Sequence, residues 1–439
     1  MSAMAWFNDE RDWFFTARFG LFIHWGLYAL NGWHEQEQWR RPVDAQTYQA
    51  LAQRFDPQDF DPDRWFELAA EAGMCYCTIT TKHHDGFCLW PSAVTDFTVA
   101  NTPYGKDIIA QVAAACRKHD IHLGLYYSVV NWHHPCYPNR GRHHELPAPK
   151  PGDIPDDDCY IAFLTEQVRE LCTNYGPIHS WFWDMNVPQW RNPAINAIIR
   201  ELQPACVINN RGLDEGDLAS PERHFDPAIN QHQPFTRPTE YCTSVGAWSW
   251  GYKRDEDYFT SKHLCYHLAE IWAKGGNYLL NIGPDGDGRL PPEAEHLLHA
   301  IGDWHRRVFA AFTGTTPDFR FCHTANYLVT RRDHTLYVVC MREPITAALS
   351  LLNLASIPTR AICLNHGRDI PISTERLPVY GDGNEFHVRL RELPLDIARE
   401  EPLIIELHFT EHQPLLRATA AADLDIAQEL ANEAELDPG

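Results

Sequence analysis

Short apolar runs typical of β-strands alternate with helical patterns over roughly the first 310 residues, a length that suits a barrel domain. Each run is apolar almost throughout, as in parallel strands buried on both faces. The runs lie at residues 19–25, 75–81, 122–128, 180–184, 207–210, 241–244 and 278–282. Repeated strand–helix units predict a parallel sheet with crossover helices, and this number favours an α/β fold with a (β/α)8-like, TIM-type barrel over residues 1–312.

The pattern changes near residue 316, where helical periodicity gives way to strand-like runs separated by Pro, Gly and Asp. These runs lie at residues 336–341, 360–364, 385–390 and 403–409. They predict a small C-terminal antiparallel β-sandwich over residues 313–412. Residues 413–439 combine an Ala/Leu helical pattern with an excess of acids, and we expect an acidic helical tail there.

A long loop follows the third strand-like run. Residues 135–158 contain six prolines, more than a helix or a strand of that length tolerates. Because the loop leaves the carboxyl end of a predicted barrel strand, we expect it to lie over the barrel mouth. Long ordered loops in that position usually shape a binding site.

The overall charge and the cysteine usage limit the classes of partner and compartment. The formal net charge of −22 disfavours nucleic acid and anionic membranes as partners. No apolar run approaches the ~18 residues that a membrane helix needs. The start of the chain lacks the apolar core of a signal peptide, and the 13 cysteines form no Cys-x-x-Cys pair. Together these features predict a cytoplasmic protein with reduced thiols.

Polar and aromatic side chains collect where five of the strand-like runs end. In chain order they are His24, Trp25, His83, His84, Tyr126, Tyr127, Asp184 and Arg211. Because functional residues of a parallel barrel lie at the carboxyl ends of its strands, we expect these side chains to share one pocket.

Asp184 is the first candidate for a catalytic residue, since it directly follows the aromatic run at residues 181–183. A carboxylate in that apolar setting needs a partner such as Arg211 to stay ionised. A positioned, ionised carboxylate beside aromatic walls suits a nucleophile that attacks a sugar carbon.

Glycoside hydrolysis requires a second carboxylate on the other side of the scissile bond. Glu222 lies in a loop, where its surroundings can tune a general acid, and Glu240 begins the next strand-like run. Asp217 is a weaker third candidate. The residues alone leave the choice between Glu222 and Glu240 open.

No metal or cofactor is expected. The chain has no His-Glu-x-x-His motif, and residues 283–288 satisfy neither the calcium-loop nor the phosphate-loop spacing. The 15 tryptophans instead offer flat apolar faces that suit a sugar ring, with Trp25, Trp39 and Trp250 as candidate walls.

Several long motifs resemble the α-L-fucosidase family, glycoside hydrolase family 29. They lie at residues 19–26, 82–87, 124–128, 183–184, 210–211, 249–252 and 275–284, in the family's order. The resemblance implies a barrel with a C-terminal β-sandwich and a retaining, metal-independent hydrolase of terminal α-L-fucosides.

The resemblance also implies roles for individual residues. Asp184 corresponds to the nucleophile. The residues that correspond to those which bind fucose or the site carboxylate in the family are His24, His83, His84 and Tyr126 or Tyr127. Arg211 corresponds to an arginine in the site. The Gly-Asp-x-x-Ser-Pro-Glu segment is similar to one subgroup and favours Glu222 as the acid/base, whereas Glu240 matches a second subgroup whose Trp is replaced here by Thr239.

One stretch departs from the family pattern. Gln38 precedes Trp39, where many members carry a Glu that binds the sugar hydroxyls, and Glu35 and Glu37 are candidates to replace that Glu.

The resulting hypothesis is an exo-glycosidase that releases terminal α-L-fucose from small carbohydrates. The alternatives are a related exo-glycosidase with another specificity, such as an α-L-galactoside-like sugar, and a non-catalytic fucose-binding protein. The sequence leaves a homo-oligomer open.

Overall fold

The computed structural model describes residues 4–41, 43–223, 233–322, 324–376, 386–410, 414 and 416. The chain divides into two compact units, Met1–Gly314 and Thr315–Gly439. The boundary lies two residues beyond the predicted one. The predicted acidic tail at 413–439 falls outside the described residues, apart from residues 414 and 416.

Seven parallel strands form one curled sheet in the described part of the first unit, with the order β5-β4-β3-β2-β1-β7-β6. Their bounds are β1 Phe19–Ile23, β2 Tyr76–Lys82, β3 His122–Ser128, β4 Ser180–Asp184, β5 Val207–Ile208, β6 Glu240–Ser244 and β7 Asn277–Ile282. Almost every residue of these strands is buried, which confirms the prediction from their unbroken apolar pattern.

Residues 218–222 lie between the two edge strands of this sheet. Leu218 forms a parallel bridge with Asn209, just beyond β5, and Glu222 forms one with Cys242 on β6. A further bridge joins Ala219 to Thr239. This short extended segment therefore occupies the position of an eighth strand, and the loop that the sequence suggested around Glu222 is part of the barrel wall.

Helices surround the sheet, and their ends follow from local sequence. Asp61 accepts hydrogen bonds from the first-turn amides of α5, and Gly73 ends that helix at a φ of +88°. The helices of the first unit are α1 Trp13–Ala17, α2 Tyr28–Asn31, α3 Glu37–Arg40, α4 Ala45–Gln49, α5 Pro62–Ala72, α6 Ile108–Lys118, α7 Asp157–Asn174, α8 Pro193–Leu202, α9 Ser261–Ala273 and α10 Pro292–Val308.

Alternate residues of each strand face the barrel interior and the surrounding helices. Phe22, Tyr126 and Phe182 pack together inside the barrel. Their neighbours point the other way: the Tyr127 hydroxyl donates to Gln167 on α7, and Trp183 Nε1 donates to Asn196 on α8. This period of two decides which strand residues reach the site.

The second unit is an antiparallel β-sandwich, as predicted. Its sheets have the orders β13-β12-β16-β10-β9-β8 and β11-β15-β14. A shared core joins residues of both sheets, including Val338 and Ile405 from one and Val388 and Leu390 from the other. The elements are β8 Thr316–Pro317, β9 Tyr327–Arg332, β10 Thr335–Cys340, β11 Ala348–Leu351, β12 Arg360–Cys363, β13 Arg368–Asp369, β14 Ile372–Arg376, β15 Phe386–Arg391, α11 Leu395–Ala398 and β16 Ile404–His408.

Cys136 and Cys159 form a disulfide bond, which departs from the expectation that every thiol is reduced. The bond joins the start of the proline-rich loop to the first turn of α7. The other eleven cysteines are free. Among the described residues, no helix is long and apolar enough to cross a membrane.

Candidate active site

A cavity of about 270 Å³ opens at the carboxyl ends of the barrel strands. It contains nine of the candidate residues from the sequence: His24, Glu35, His83, His84, Tyr126, Asp184, Arg211, Glu222 and Trp250. The remaining lining residues are Phe22, His34, Gln36, Arg40, His143, His144, Phe182, Met185, Arg223, Cys242 and Trp248. All of them belong to the first unit.

Asp184 ends β4 and points into the cavity. Its Oδ2 accepts a hydrogen bond of 2.7 Å from the Tyr126 hydroxyl and lies 3.9 Å from His84 Nε2. Its Oδ1 accepts one of 3.4 Å from Arg211 Nη1. Burial raises the pKa of Asp184, and the charge of Arg211 and the hydroxyl of Tyr126 oppose that rise. The carboxylate is thus held in one orientation by groups that favour its ionised form.

Arg211 links Asp184 to Glu222. The same Nη1 atom lies 2.6 Å from Glu222 Oε2, while Nε and Nη2 donate to the carbonyl oxygen of Ser220. The guanidinium therefore fixes both the Glu222 carboxylate and the extended segment that carries it. The Glu222 side chain is 34% exposed, so water reaches it from the cavity.

Glu240 and Asp217 lie elsewhere in the barrel. Glu240 is only 1% exposed and starts β6, at the amino end of the sheet, where it pairs in register with Asn277. Burial raises its pKa to about 7, opposed by the Tyr76 hydroxyl and Arg211. The Asp217 carboxylate binds Arg11 at 2.6 Å and Arg200 at 3.0 Å. Neither carboxylate is among the residues that line the cavity.

Three buried histidines supply neutral hydrogen-bonding groups to the cavity. Burial lowers the pKa of His24 to about 4 and holds the pKa of His83 and of His84 well below the usual range. His24 Nδ1 lies 2.7 Å from Asn281 Oδ1, and His84 Nδ1 lies 2.6 Å from the Ser128 hydroxyl. The rings of His24 and His84 therefore each have one nitrogen held by the protein and the other available to a ligand, whereas Nδ1 of His83 is buried without a hydrogen-bond partner among the described residues.

Glu35 lines the cavity and brings a carboxylate to it, whereas Gln38 does not line the cavity. Glu35 Oε2 accepts bonds from the Ser249 hydroxyl at 2.7 Å and from the Trp250 amide at 2.9 Å. Its Oε1 has no hydrogen-bond partner among the described residues. Although burial raises the pKa of Glu35, His34 and Ser249 hold it below its ordinary value. An anchored carboxylate with one unbonded oxygen is suited to accept bonds from hydroxyl groups.

Gln38 and Trp39 lie on α3, outside the set of residues that line the cavity. Trp39 stacks on His144, with ring centroids 4.8 Å apart, and so supports the cavity from behind. Glu37, the other candidate replacement, binds Asn31 at 2.7 Å and Arg41 at 3.3 Å.

Trp25 and Tyr127 are also placed outside the cavity lining. Trp25 is buried against Phe60, with centroids 4.9 Å apart, and donates to the carbonyl oxygen of Asp285. Tyr127 faces α7, as described above. Trp250 is the tryptophan of the predicted set that lines the cavity, 5.3 Å from the His24 ring.

The proline-rich loop contributes two cavity residues that the sequence analysis did not identify, His143 and His144. His144 has a φ of +66°, and its carbonyl oxygen accepts a 2.7 Å bond from Trp132 Nε1. Burial lowers its pKa to about 4. The only sequence signal for these residues was the expectation that the loop lies over the barrel mouth.

Two carboxylates that share one arginine nitrogen, in a barrel mouth with neutral histidines and a tryptophan, match the chemistry of a glycoside hydrolase. Among the described residues, no group of three or more His, Cys, Asp or Glu side chains is arranged to hold a metal ion.

Comparisons with known proteins give the same class. The sequence model of the family described as Alpha-L-fucosidase matches residues 5–308. The tissue alpha-L-fucosidase of Rattus norvegicus is 29% identical over 77% of this chain and 78% of the relative. The human tissue enzyme is 27% identical, over 83% and 82% of the two chains.

Solved structures agree with the sequence relatives. Alpha-L-fucosidase isoenzyme 1 from Paenibacillus thiaminolyticus is 31% identical, with a TM-score of 0.81 over 92% of this chain and 99% of the other. A GH29 alpha-L-fucosidase from Bacteroides thetaiotaomicron, trapped as a covalent intermediate with 2-fluoro-fucosyl fluoride, is 27% identical, with a TM-score of 0.75 over 93% and 97%. The chain belongs to the α-L-fucosidase family of glycoside hydrolases.

Proposed function

We propose that this protein hydrolyses terminal α-L-fucosides with retention of configuration, by double displacement through Asp184 and Glu222. The observation that carries the proposal is the shared arginine atom. Because Glu222 Oε2 and Asp184 Oδ1 lie 2.6 and 3.4 Å from the same Arg211 nitrogen, these oxygens are at most about 6 Å apart. Retaining enzymes hold their carboxyl groups about 5–5.5 Å apart, whereas inverting enzymes separate them by about 6.5–9.5 Å.

In the first step, Asp184 attacks the anomeric carbon and forms a glycosyl ester. Protonated Glu222 donates its proton to the glycosidic oxygen, which leaves as an alcohol. Arg211 and Tyr126 keep Asp184 ionised and oriented before the attack. The hydrogen bonds that Asp184 accepts from Arg211 and Tyr126 restrict the orientation of its carboxylate before the attack.

In the second step, Glu222 removes a proton from water, which attacks the anomeric carbon and releases Asp184. Esterification removes the negative charge of Asp184, so Arg211 keeps Glu222 as its remaining carboxylate partner in the cavity. The bond from Arg211 to Glu222 holds the general base in the cavity during this step. Arg211 thus contacts both catalytic carboxyl groups.

The sugar hydroxyls would be bound by His24, His83 and Glu35, which replaces Gln38 in this assignment. Glu35 supplies an ionised acceptor, and each neutral histidine supplies one ring nitrogen. Phe22 and Trp250 provide apolar surface, with ring centroids 5.9 Å apart, where the C5 methyl group of fucose fits. An L-galactose-type sugar would place a hydroxyl against that surface, at a desolvation cost.

Hydrolysis of an aryl α-L-fucoside, followed by NMR, tests the proposal. We expect the α anomer to appear first and to equilibrate later with the β anomer. First release of the β anomer would contradict the double displacement. A panel of aryl glycosides covers the other specificity: faster cleavage of an α-L-galactoside than of the fucoside would transfer the assignment to that sugar. Binding of fucose without hydrolysis of any member would support the non-catalytic alternative.

A cytoplasmic location remains a prediction. The Cys136–Cys159 disulfide counts against it, because reducing compartments keep protein thiols free. Thiol titration of the protein purified from its native compartment measures this directly. Thirteen titratable thiols after denaturation would favour the cytoplasm, and eleven would favour an oxidising compartment.

A further inference from the structure

We infer that Trp248 is the platform for the leaving group, and that the preferred leaving group is a pyranose ring whose C–H face stacks on the indole. This inference rests on the proposed function. Trp248 lines the same cavity as Asp184 and Glu222, yet the residue is 62% exposed. It is therefore an aromatic surface at the opening of the cavity.

The loop after β6 supplies two tryptophans at different depths. Trp250 packs on Phe22 and His24 inside the barrel. Trp248, two residues earlier, retains most of its accessible surface. In the proposed assignment Glu222 protonates the anomeric oxygen, and the Glu222 side chain is 34% exposed. The leaving group therefore lies on the open side of the cavity, which Trp248 also lines.

Trp248 is held in place although most of its surface is open to solvent. Its Nε1 donates a 2.6 Å hydrogen bond to Asp257 Oδ2, and its backbone amide donates a 3.0 Å bond to Glu256 Oε1. The amide of Ala247 donates to the carbonyl oxygen of Asp257, which pairs the two sides of the loop. A fixed aromatic ring loses little conformational entropy when a ligand stacks on it.

The chemistry of the ring selects the class of leaving group. Indole offers a flat apolar face, and its single donor is already bonded to Asp257. The face therefore recognises a ring with an apolar side, as the axial C–H groups of a pyranose provide. Arg40 and His143, which also line the cavity, offer N–H groups to the hydroxyls of such a ring.

Comparison of two substrates tests the inference in the full-length protein. A fucosyl-lactose trisaccharide carries a sugar leaving group, whereas α-L-fucosyl fluoride releases only fluoride. For Trp248→Ala we expect kcat/KM for the trisaccharide to fall about three- to tenfold, the usual value of an aromatic stacking contact. For the fluoride we expect a change of less than about twofold. Trp248→Phe should recover part of the loss, since it retains a stacking face.

Trp6→Ala is the matched control, because Trp6 is also half exposed but stacks on Phe15 and is not part of the cavity lining. It should leave both substrates unaffected. Equal losses with both substrates in Trp248→Ala would show that Trp248 maintains the fold of the site. No loss with either substrate would show that Trp248 does not bind the leaving group. Both results overturn the inference. If the wild-type protein cleaves neither substrate, the proposed function itself fails.

Discussion

The two ends of the barrel hold carboxylates in opposite circumstances. At the carboxyl end, Asp184 and Glu222 share Arg211, and water reaches Glu222 from the cavity. At the amino end, Glu240 is enclosed, and its pKa is raised to about 7 by burial. Burial and a perturbed pKa therefore do not identify the catalytic acid. Access to a cavity and a shared cationic partner distinguish the two ends.

Replacement of the nucleophile is expected to have the largest effect. Asp184→Asn removes the attacking charge but keeps the shape of the side chain, so kcat should fall by more than about 10³-fold while fucose still binds. Initial rates and a fucose titration measure the two properties. Asp217→Asn is the matched control: it loses the ion pairs to Arg11 and Arg200 and should lower stability without a comparable loss of kcat. Near-normal turnover by Asp184→Asn would refute the assignment.

The second prediction separates the two ends of the barrel directly. Glu222→Ala should lower kcat about 10²- to 10⁴-fold, as expected for loss of a general acid/base, and azide should restore turnover of an activated substrate as a fucosyl azide. Glu240→Gln should keep kcat within about twofold, because its side chain lies away from the cavity. Rescue of Glu240→Ala in place of Glu222→Ala would reverse the roles.

The third prediction concerns the charge that joins the two catalytic carboxylates. Arg211 lowers the pKa of Asp184 against the effect of burial, so Arg211→Met should raise that pKa. Because the nucleophile must be ionised, the acidic limb of the kcat/KM profile should move to higher pH. We expect a loss of about 10²-fold at neutral pH. If the acidic limb of the kcat/KM profile did not shift in Arg211→Met, Arg211 would not control the ionisation of Asp184.

The smallest effect concerns stability at the amino end. Since the pKa of Glu240 is raised from 4.5 to about 7 in the folded protein, its contribution to stability is present below pH 4.5 and is lost as the pH rises through about 7. Glu240→Gln removes this titration. The variant should gain about 1–3 kcal/mol over the wild type between pH 5 and pH 8, measured by denaturant unfolding. Parallel stability curves would show that Glu240 does not titrate in this range.

Much of the fold was predictable because each strand has an unbroken apolar run. Asp184 was located by its position directly after one of those runs. The choice between Tyr126 and Tyr127 could not be predicted, because it depends on which side of β3 faces the barrel interior. The sandwich strands were harder to find, and short strands such as β11 and β14 lack a long apolar run.

The site residues that the sequence missed or left undecided lie on irregular backbone. The residues alone left open the choice between Glu222 and Glu240, although the family resemblance favoured Glu222. Glu222 lies on the segment at 218–222, which bridges β5 and β6, and it lines the cavity. Glu35 lines the cavity in place of the residue directly before Trp39, which the family pattern indicated. The chain passes the cavity at Glu35 and then enters α3, which carries Gln38 and Trp39 outside the cavity lining. His143 and His144 depend on the path of a long loop, which local sequence does not determine.

The measurement that tests the central claim most directly is covalent trapping. Incubation with 2-deoxy-2-fluoro-α-L-fucosyl fluoride, followed by intact-mass and peptide mass spectrometry, locates the sugar on the chain. The fluorine slows both steps, and the good leaving group lets the ester accumulate. We predict one added fluorofucosyl group, on the peptide that contains Asp184, and none on Asp184→Asn. A label on another carboxylate, or the same labelling of Asp184→Asn, would contradict nucleophilic attack by Asp184.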